Sequence, residues 1–326
     1  MKLAHFERLA PLCPSCRRGA LKVSKTVRGD AREVEEGLLE CSECQHLFPV
    51  IDGIPLLARD LRRVVSEQIL GVIQRADLSE TTLSLLGECC GSASPFDSAR
   101  QHVSSYAHGH YEEKGVVRIL EAGLERAGAV SEPILDVGCS VGGTTLALAA
   151  RGLVLGVDLS FGMLRAARRF ARGGAVTYAR RVSGLVYEER TVAVDAAHAA
   201  NADFWCADAL ALPFRAGTFG LASSVNLLDC VASPLEHLRA LSDALRPGGA
   251  ALVATPFDWA PSATPVEQWL GGHSRRTGPE VVRALAGSEQ LRELRVAAEI
   301  DGLEWPLRLH ERAEMRYRVA LFVLRK

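Results

Sequence analysis

Two groups of residues have the types and spacing for chemistry. Cys13-Pro14-Ser15-Cys16 and Cys41-Ser42-Glu43-Cys44 are two Cys-x-x-Cys pairs separated by 24 residues, a spacing that suits four thiolates around one zinc ion. Redox dithiols are the alternative, but those motifs come singly and inside a βαβ unit. The second group is Ile134-Leu135-Asp136-Val137-Gly138-Cys139-Ser140-Val141-Gly142-Gly143, followed by Leu155-Gly156-Val157-Asp158-Leu159-Ser160. Gly138 and Gly142 let the backbone pass close to a ligand, and a helix starting behind them supplies unpaired N–H groups. A carboxylate at Asp158, at the end of the next strand, is placed to take two ribose hydroxyls. Together these make a nucleoside pocket. The loop reads Gly-x-x-x-Gly-Gly rather than Gly-x-Gly-x-x-Gly, so a pyrophosphate is not the expected guest.

The elements that must position these residues follow from pattern. The apolar run ending at Val137 predicts a first strand, 144–150 a first helix, and 162–171 a second helix. A third strand is expected over 203–206. Between the second helix and that strand, two β-rich stretches around Val182-Ser183-Gly184 predict a hairpin near 173–200. Upstream, 61–130 reads as a helical connector, with helices over 61–75 and 82–90, a break at Gly91-Ser92-Ala93-Ser94-Pro95, and a helix over 112–127. Cys89 and Cys90 are expected to be small buried apolar side chains there. Tyr106, His110 and Tyr111 precede the last helix and read either as a lid over the site or as a surface loop packed on the core. Strands six and seven are expected near 291–300 and 317–324.

Composition bounds the class. The 326 residues can hold one large core plus a small module, and the formal charge of −1 provides no basic field for a polyanion. Residues 1–60 carry nine Lys/Arg against nine Asp/Glu, a poor footprint for phosphate binding even with Arg17 and Arg18 beside a knuckle. The expected partner is a small-molecule substrate rather than a nucleic acid or a membrane. No apolar run of about 18 residues occurs, and Glu7 and Arg8 interrupt any signal sequence. A cytoplasmic enzyme with thiols or metal ligands rather than disulfides is the expectation.

Asp136 and its loop resemble motif I of class I S-adenosylmethionine (SAM) methyltransferases. Two further segments match at proper distances: Ala207-Asp208-Ala209-Leu210-Ala211-Leu212-Pro213-Phe214 and Leu245-Arg246-Pro247-Gly248-Gly249-Ala250-Ala251-Leu252-Val253. The resemblance implies an α/β Rossmann-like, seven-stranded sheet ending in an antiparallel hairpin. It implies SAM held by Asp136, Gly138, Cys139, Ser140 and Gly142 at its amino-acid end, with Asp158 and Leu159 next, then Asp208 and Ala209 near the adenine, and Asn226. Residues 8–58, with Leu39-Glu40-Cys41 and Phe48-Pro49-Val50-Ile51-Asp52-Gly53-Ile54-Pro55, resemble the Trm112-like zinc-binding family, whose members activate methyltransferases or are fused to them. That likeness implies a closed, structural zinc site on Cys13, Cys16, Cys41 and Cys44. The domain expectation is a ribbon over 1–60, a connector and lid over 61–130, and a methyltransferase domain over 131–326.

Within the last segment, Val225-Asn226-Leu227-Leu228-Asp229, Thr255-Pro256-Phe257-Asp258-Trp259 and Trp269-Leu270-Gly271-Gly272 resemble the ovothiol-biosynthesis methyltransferase domain, which methylates an imidazole nitrogen of mercaptohistidine. The tail from Arg316 is similar to carnosine N-methyltransferase. A histidine derivative is therefore the expected acceptor. Asp229 and Asn226, with Tyr317, are the catalytic candidates, Asp229 because a carboxylate on one ring N–H fixes the imidazole tautomer. Tyr106, His110, Tyr111, Asp229, Trp259 and Trp269 are candidates to bind the substrate. A capping role for Asp229 and a core role for the tryptophans are the alternatives. RNA base methylation, another small metabolite, or a SAM-binding regulator are the competing functions.

Overall fold

The computed structural model describes residues 1–326 except 75–77, 196 and 292. The strands are β1 (Leu21–Gly29), β2 (Val34–Cys41), β3 (Leu47–Ile51), β4 (Ile54–Leu57), β5 (Ile134–Val137), β6 (Val154–Asp158), β7 (Ala175–Ser183), β8 (Val186–Ala193), β9 (Ala202–Ala207), β10 (Phe219–Val225), β11 (Leu245–Thr255), β12 (Arg295–His310) and β13 (Ala313–Arg325). Strands β5 and β9 are buried along their whole length, as parallel strands covered by helices on both faces must be. Among the described residues, eleven strands form one sheet in the order β1-β2-β3-β4-β9-β6-β5-β10-β11-β13-β12. The seven strands from β9 to β12 are the expected Rossmann-like core. All are parallel up to β11, and β13 then runs antiparallel to both β11 and β12. Strand order reverses between β5 and β10, which leaves a crevice at their carboxyl ends.

The last two strands extend well beyond 291–300 and 317–324. Register shifts near Ala298, Leu303 and His310 curl the hairpin and break its period-2 pattern, so its polar outer half does not read as strand. Leu291 belongs to a short 3-10 turn, and Arg292 lies outside the described residues. The hairpin of β7 and β8 forms where the insertion predicted it. It lies against the helix Pro95–Ala107: the Arg181 amide donates to Ser104 Oγ at 2.8 Å and the Tyr187 hydroxyl to Asp97 at 3.2 Å.

The connector departs from expectation in three places. The helix expected over 61–75 is two helices, Leu61–Glu67 and Ile69–Ile73, with Arg75 outside the described residues. The break falls at Gln68, whose side-chain amide donates to the Leu159 carbonyl at 2.7 Å and accepts from the Phe161 amide at 2.9 Å. Cys89 and Cys90 are exposed rather than buried, because the helix Glu80–Cys90 buries only Gly87. The helix expected from residue 112 begins at Gly115, after a π-helical turn over His108–Glu112 and a left-handed Lys114 (φ 55°).

The four-cysteine segment continues the central sheet. Strand β4 pairs in parallel with β9, Leu56 opposite Cys206 and Leu57 opposite Ala207. Side chains close the seam. The Arg168 guanidinium, 6% exposed, lies 2.5 Å from Glu33, 3.0 Å from Glu35 and 3.9 Å from Asp203. Gly53 (φ 70°) passes so close that a Cβ there would sit 2.0 Å from that guanidinium. Burial pushes the Glu33 carboxyl up, but Arg168 outweighs it and holds the group at about 2. Breaking such a buried group by removing one partner is costly. Arg168→Ala is expected to lower stability by about 3 kcal/mol in urea unfolding. The contribution of Glu33 is present above about pH 4.5 and fades as pH falls toward 2; an unchanged urea midpoint in the variant at pH 7 would show that the seam does not depend on this cluster.

Candidate active site

A cleft of about 250 Å³ opens at the crevice between β5 and β10. Asp136, at the end of β5, is 2% exposed and accepts hydroxyl hydrogen bonds from Thr144 and Thr145 at 2.7 Å and from Ser223 at 2.5 Å. Burial pushes its carboxyl up, and the three hydroxyls oppose that. Asp158 accepts the Ser140 amide at 3.0 Å and the Ser160 amide at 2.8 Å. It therefore holds the glycine loop to the next strand. Burial raises its carboxyl too, against those amides. Gly138 has φ 76°, and a Cβ there would lie 2.9 Å from Leu227; only glycine allows this approach.

Of the expected cofactor-binding residues, Asp136, Gly138, Ser140, Asp158 and Asn226 line this cleft. Cys139 is fully buried behind it, and Gly142 caps the helix Gly143–Leu148, where a Cβ would meet Phe204 at 2.8 Å. The Leu159 carbonyl is taken by Gln68. Asp208 accepts the Leu210 amide at 2.9 Å in the following turn, and neither it nor Ala209 lines the cleft. The helix N-terminus is not a bare row of donors either: the Gly143 amide donates to His110 Nδ1 at 3.2 Å, and burial lowers His110 to about 4, keeping it neutral.

Unmet polarity marks where a ligand fits. Ser140 Oγ and both side-chain polar atoms of Asn226 are buried without a hydrogen-bond partner, and buried groups of this kind need one. Asn226 holds a left-handed backbone (φ 56°) at the end of β10, with its amide donating to Ala254 at 2.7 Å. These orphans beside two carboxylates suit a polar, cationic nucleoside such as SAM.

The substrate candidates divide. Tyr106 and His110 line the cleft, and burial pushes the Tyr106 hydroxyl up to about 12. Tyr111 is buried and donates to the Val141 carbonyl at 2.7 Å, which makes it a loop support. Asp229 is 2% exposed, accepts the Asp258 amide at 2.8 Å, and is raised to about 6 by burial. It sits behind the lining residue Cys230 rather than in the wall. Trp259 and Trp269 stack at 5.9 Å on the neighbouring strand end, and Tyr317 stacks at 4.9 Å on Trp305, which does line the cleft. Sequence reasoning missed His102, Ser160, Leu227, Cys230 and Trp305. His102 was findable, since 102, 106 and 110 recur every four residues on one helical face; Trp305, midway along a long strand, carries no such signal.

The four cysteines converge as expected. Their sulfurs all lie within 4.8 Å of one another, with Cys13 to Cys44 and Cys16 to Cys41 both at 3.7 Å. A tetrahedron with zinc–sulfur bonds of about 2.3 Å has edges of about 3.8 Å. Backbone amides of Gly19, Glu43 and Cys44 point at the sulfurs at 3.4 Å. The donor set therefore fits a structural zinc.

Two outcomes are expected. Purified protein carries one zinc per chain by elemental analysis, and Cys41→Ser lowers both zinc content and melting temperature; a zinc-free protein of full stability would refute the site. Asp158→Ala weakens SAM binding by about 1.5–3 kcal/mol, the range for hydrogen bonds to a charged group. Calorimetric titration that finds the affinity intact would take Asp158 out of the pocket.

Residues 135–253 match a family described as a methyltransferase domain. Among solved structures, the chain is similar to one from work on conversion of a disulfide bond into a thioacetal group during echinomycin biosynthesis (20% identity, 64% of this chain and 80% of the other, TM-score 0.43). It is also similar to a chain of the complex between the Haloferax volcanii Trm112 methyltransferase activator and a methyltransferase (18%, 69% and 92%, TM-score 0.42). A third is a SAM-dependent methyltransferase from Methanosarcina mazei (18%, 62% and 96%, TM-score 0.40). At such scores these likenesses carry no functional argument. The family match, laid over the strand order and the motifs of the cleft, makes this chain an enzyme with a SAM-dependent methyltransferase domain.

Proposed function

We propose that the domain transfers a methyl group from SAM to an imidazole nitrogen of a small histidine derivative of the mercaptohistidine type. One observation supports this most. The three separated segments that resemble the imidazole methyltransferases meet at one place on the sheet edge: Asp229 grips the Asp258 amide, and Trp259 stacks on Trp269.

The bound SAM supplies the methyl group for an in-line displacement. The chain's own task is then to hold a ring nitrogen lone pair about 3 Å from the methyl carbon. The partnerless Asn226 side-chain amide has both a donor and an acceptor to offer an incoming ring. Asp229 orients the ring directly or through the Cys230 segment that it anchors, and its ionised form is the one that accepts a ring N–H. The Tyr106 and Trp305 rings close the cleft over the acceptor. The Trm112-like ribbon is read as a built-in activating module with a structural metal.

Asp229→Asn is expected to leave SAM affinity nearly unchanged while lowering turnover of a histidine-type acceptor by about a hundredfold. The wild-type rate rises with pH through about 6 to 6.5, because the ring must lose its proton and Asp229, raised to about 6, must ionise. Wild-type turnover by the variant would remove Asp229 from the reaction. An enzyme that ignores every imidazole and modifies RNA instead would remove the substrate class.

A further inference from the structure

A second cleft, of about 550 Å³, opens beside the first, and its charged residues have no part in the reading above. It lies just past β11, at Pro256 and Phe257, and against Ala320 of β13, which pairs with Thr255. Asn226 of the first cleft is bonded to Ala254 on the same strand. The two clefts therefore sit on adjacent strand ends, and the 257–259 peptide, held by Asp229 through the Asp258 amide, carries Phe257 and Trp259 into the lining of the second.

Arg275, Arg276 and Arg318 face this space against a single carboxylate, Asp301. The Arg275 and Arg318 guanidinium groups have no ion pair or hydrogen bond among the described residues. Glu280, near Arg276, is already taken by the Thr277 amide at 2.7 Å and hydroxyl at 2.8 Å. The arginines are presented by a tight turn. Gly271 has φ 92°, and a Cβ on it would lie 2.5 Å from the Thr277 carbonyl carbon; Ser274 and Arg275 follow in left-handed conformations at 54° and 59°. Non-glycine residues held this way gather where a ligand is clamped. Trp259, which also lines the cleft, beside Gly272 of this turn, supplies an independent sign. Trp259 is 8% exposed, and its Nε1 is buried with no acceptor, although a buried indole N–H ordinarily finds one.

We propose that this cleft holds the anionic group of the methyl acceptor, a carboxylate or a phosphate, so that the ring end of the same molecule enters the SAM cleft. The inference rests on the reading of this sheet edge as the methyl-transfer site. An oxyanion satisfies the guanidinium forks in bidentate fashion and gives the Trp259 N–H its acceptor. Strands β10 and β13 are two spacings apart, about 10 Å, a gap that an amino-acid-sized acceptor and flexible arginine stems bridge together.

The test has a kinetic and a binding arm, both on the full chain loaded with SAM. In the first, wild type and Arg318→Gln methylate histidine, histamine, which has the ring without the carboxylate, and histidinol phosphate. The variant is expected to raise KM for the anionic acceptors by about tenfold to a hundredfold, leave kcat within about twofold, and leave histamine unaffected. The acceptor that loses more identifies the anion as carboxylate or phosphate. An equal effect on histamine, or no effect, overturns the proposal. In the second arm, tryptophan fluorescence is followed during titration with acetate and with inorganic phosphate. A saturable response that disappears in Arg318→Gln supports the cleft even if no imidazole is methylated, in which case the imidazole reading alone falls. No saturable response with either anion overturns the cleft whatever the turnover.

Discussion

The site depends on one buried carboxylate. Asp136 sits where the strand order reverses, with no cation beside it among the described residues and three hydroxyls around it. Two of those hydroxyls come from the first turn of the following helix and one from the facing strand β10. A charge removed from water is tolerated only when its lone pairs are met. Meeting them fixes the start of the helix relative to β5 and the register of Leu135 opposite Ala222 at the same time. The glycine loop then has one course to follow, and Asp158 ties down its far side.

The contrast between satisfied and unsatisfied polar groups separates supports from contacts. Tyr111, Trp269 and His110 all spend a polar atom inside the protein. Tyr111 and His110 each hold a backbone segment that borders the first cleft. Asn226, Ser140 and Trp259 keep theirs unspent. Residue type alone would rank Tyr111 and His110 above Ser140 and Asn226, and here that ranking is reversed by partners that only the fold supplies.

What was legible in the sequence is what repeats locally. The Asp136 loop, Asp158, the strand after Pro247 and the four cysteines are set by short-range patterns of glycine, apolar run and ligand spacing, and the hairpin at 173–200 by a density of β-formers. Features that depend on distant partners were not legible. Gln68 interrupts a helix because Leu159 and Phe161 lie under it. Strands β12 and β13 continue into polar sequence because each pairs with the other rather than with a buried face. Cys89 and Cys90 have an apolar spacing but nothing to pack against. The first cleft draws His102 and Trp305 from segments about 200 residues apart, and no spacing rule connects them.

The pairing of β4 with β9 has a consequence for synthesis. The four-cysteine segment leaves the ribosome before the strand it must join, which follows about 150 residues later. At ordinary elongation rates that gap is about eight to thirty seconds. Throughout it, β4 offers unpaired backbone groups along an open edge, which is a template for pairing with another nascent chain. Early capture of zinc would keep the preceding hairpins ordered during the wait, while the burial of Leu56 and Leu57 is postponed. Metal supply during translation would then govern the yield of folded protein more than the stability of the finished one.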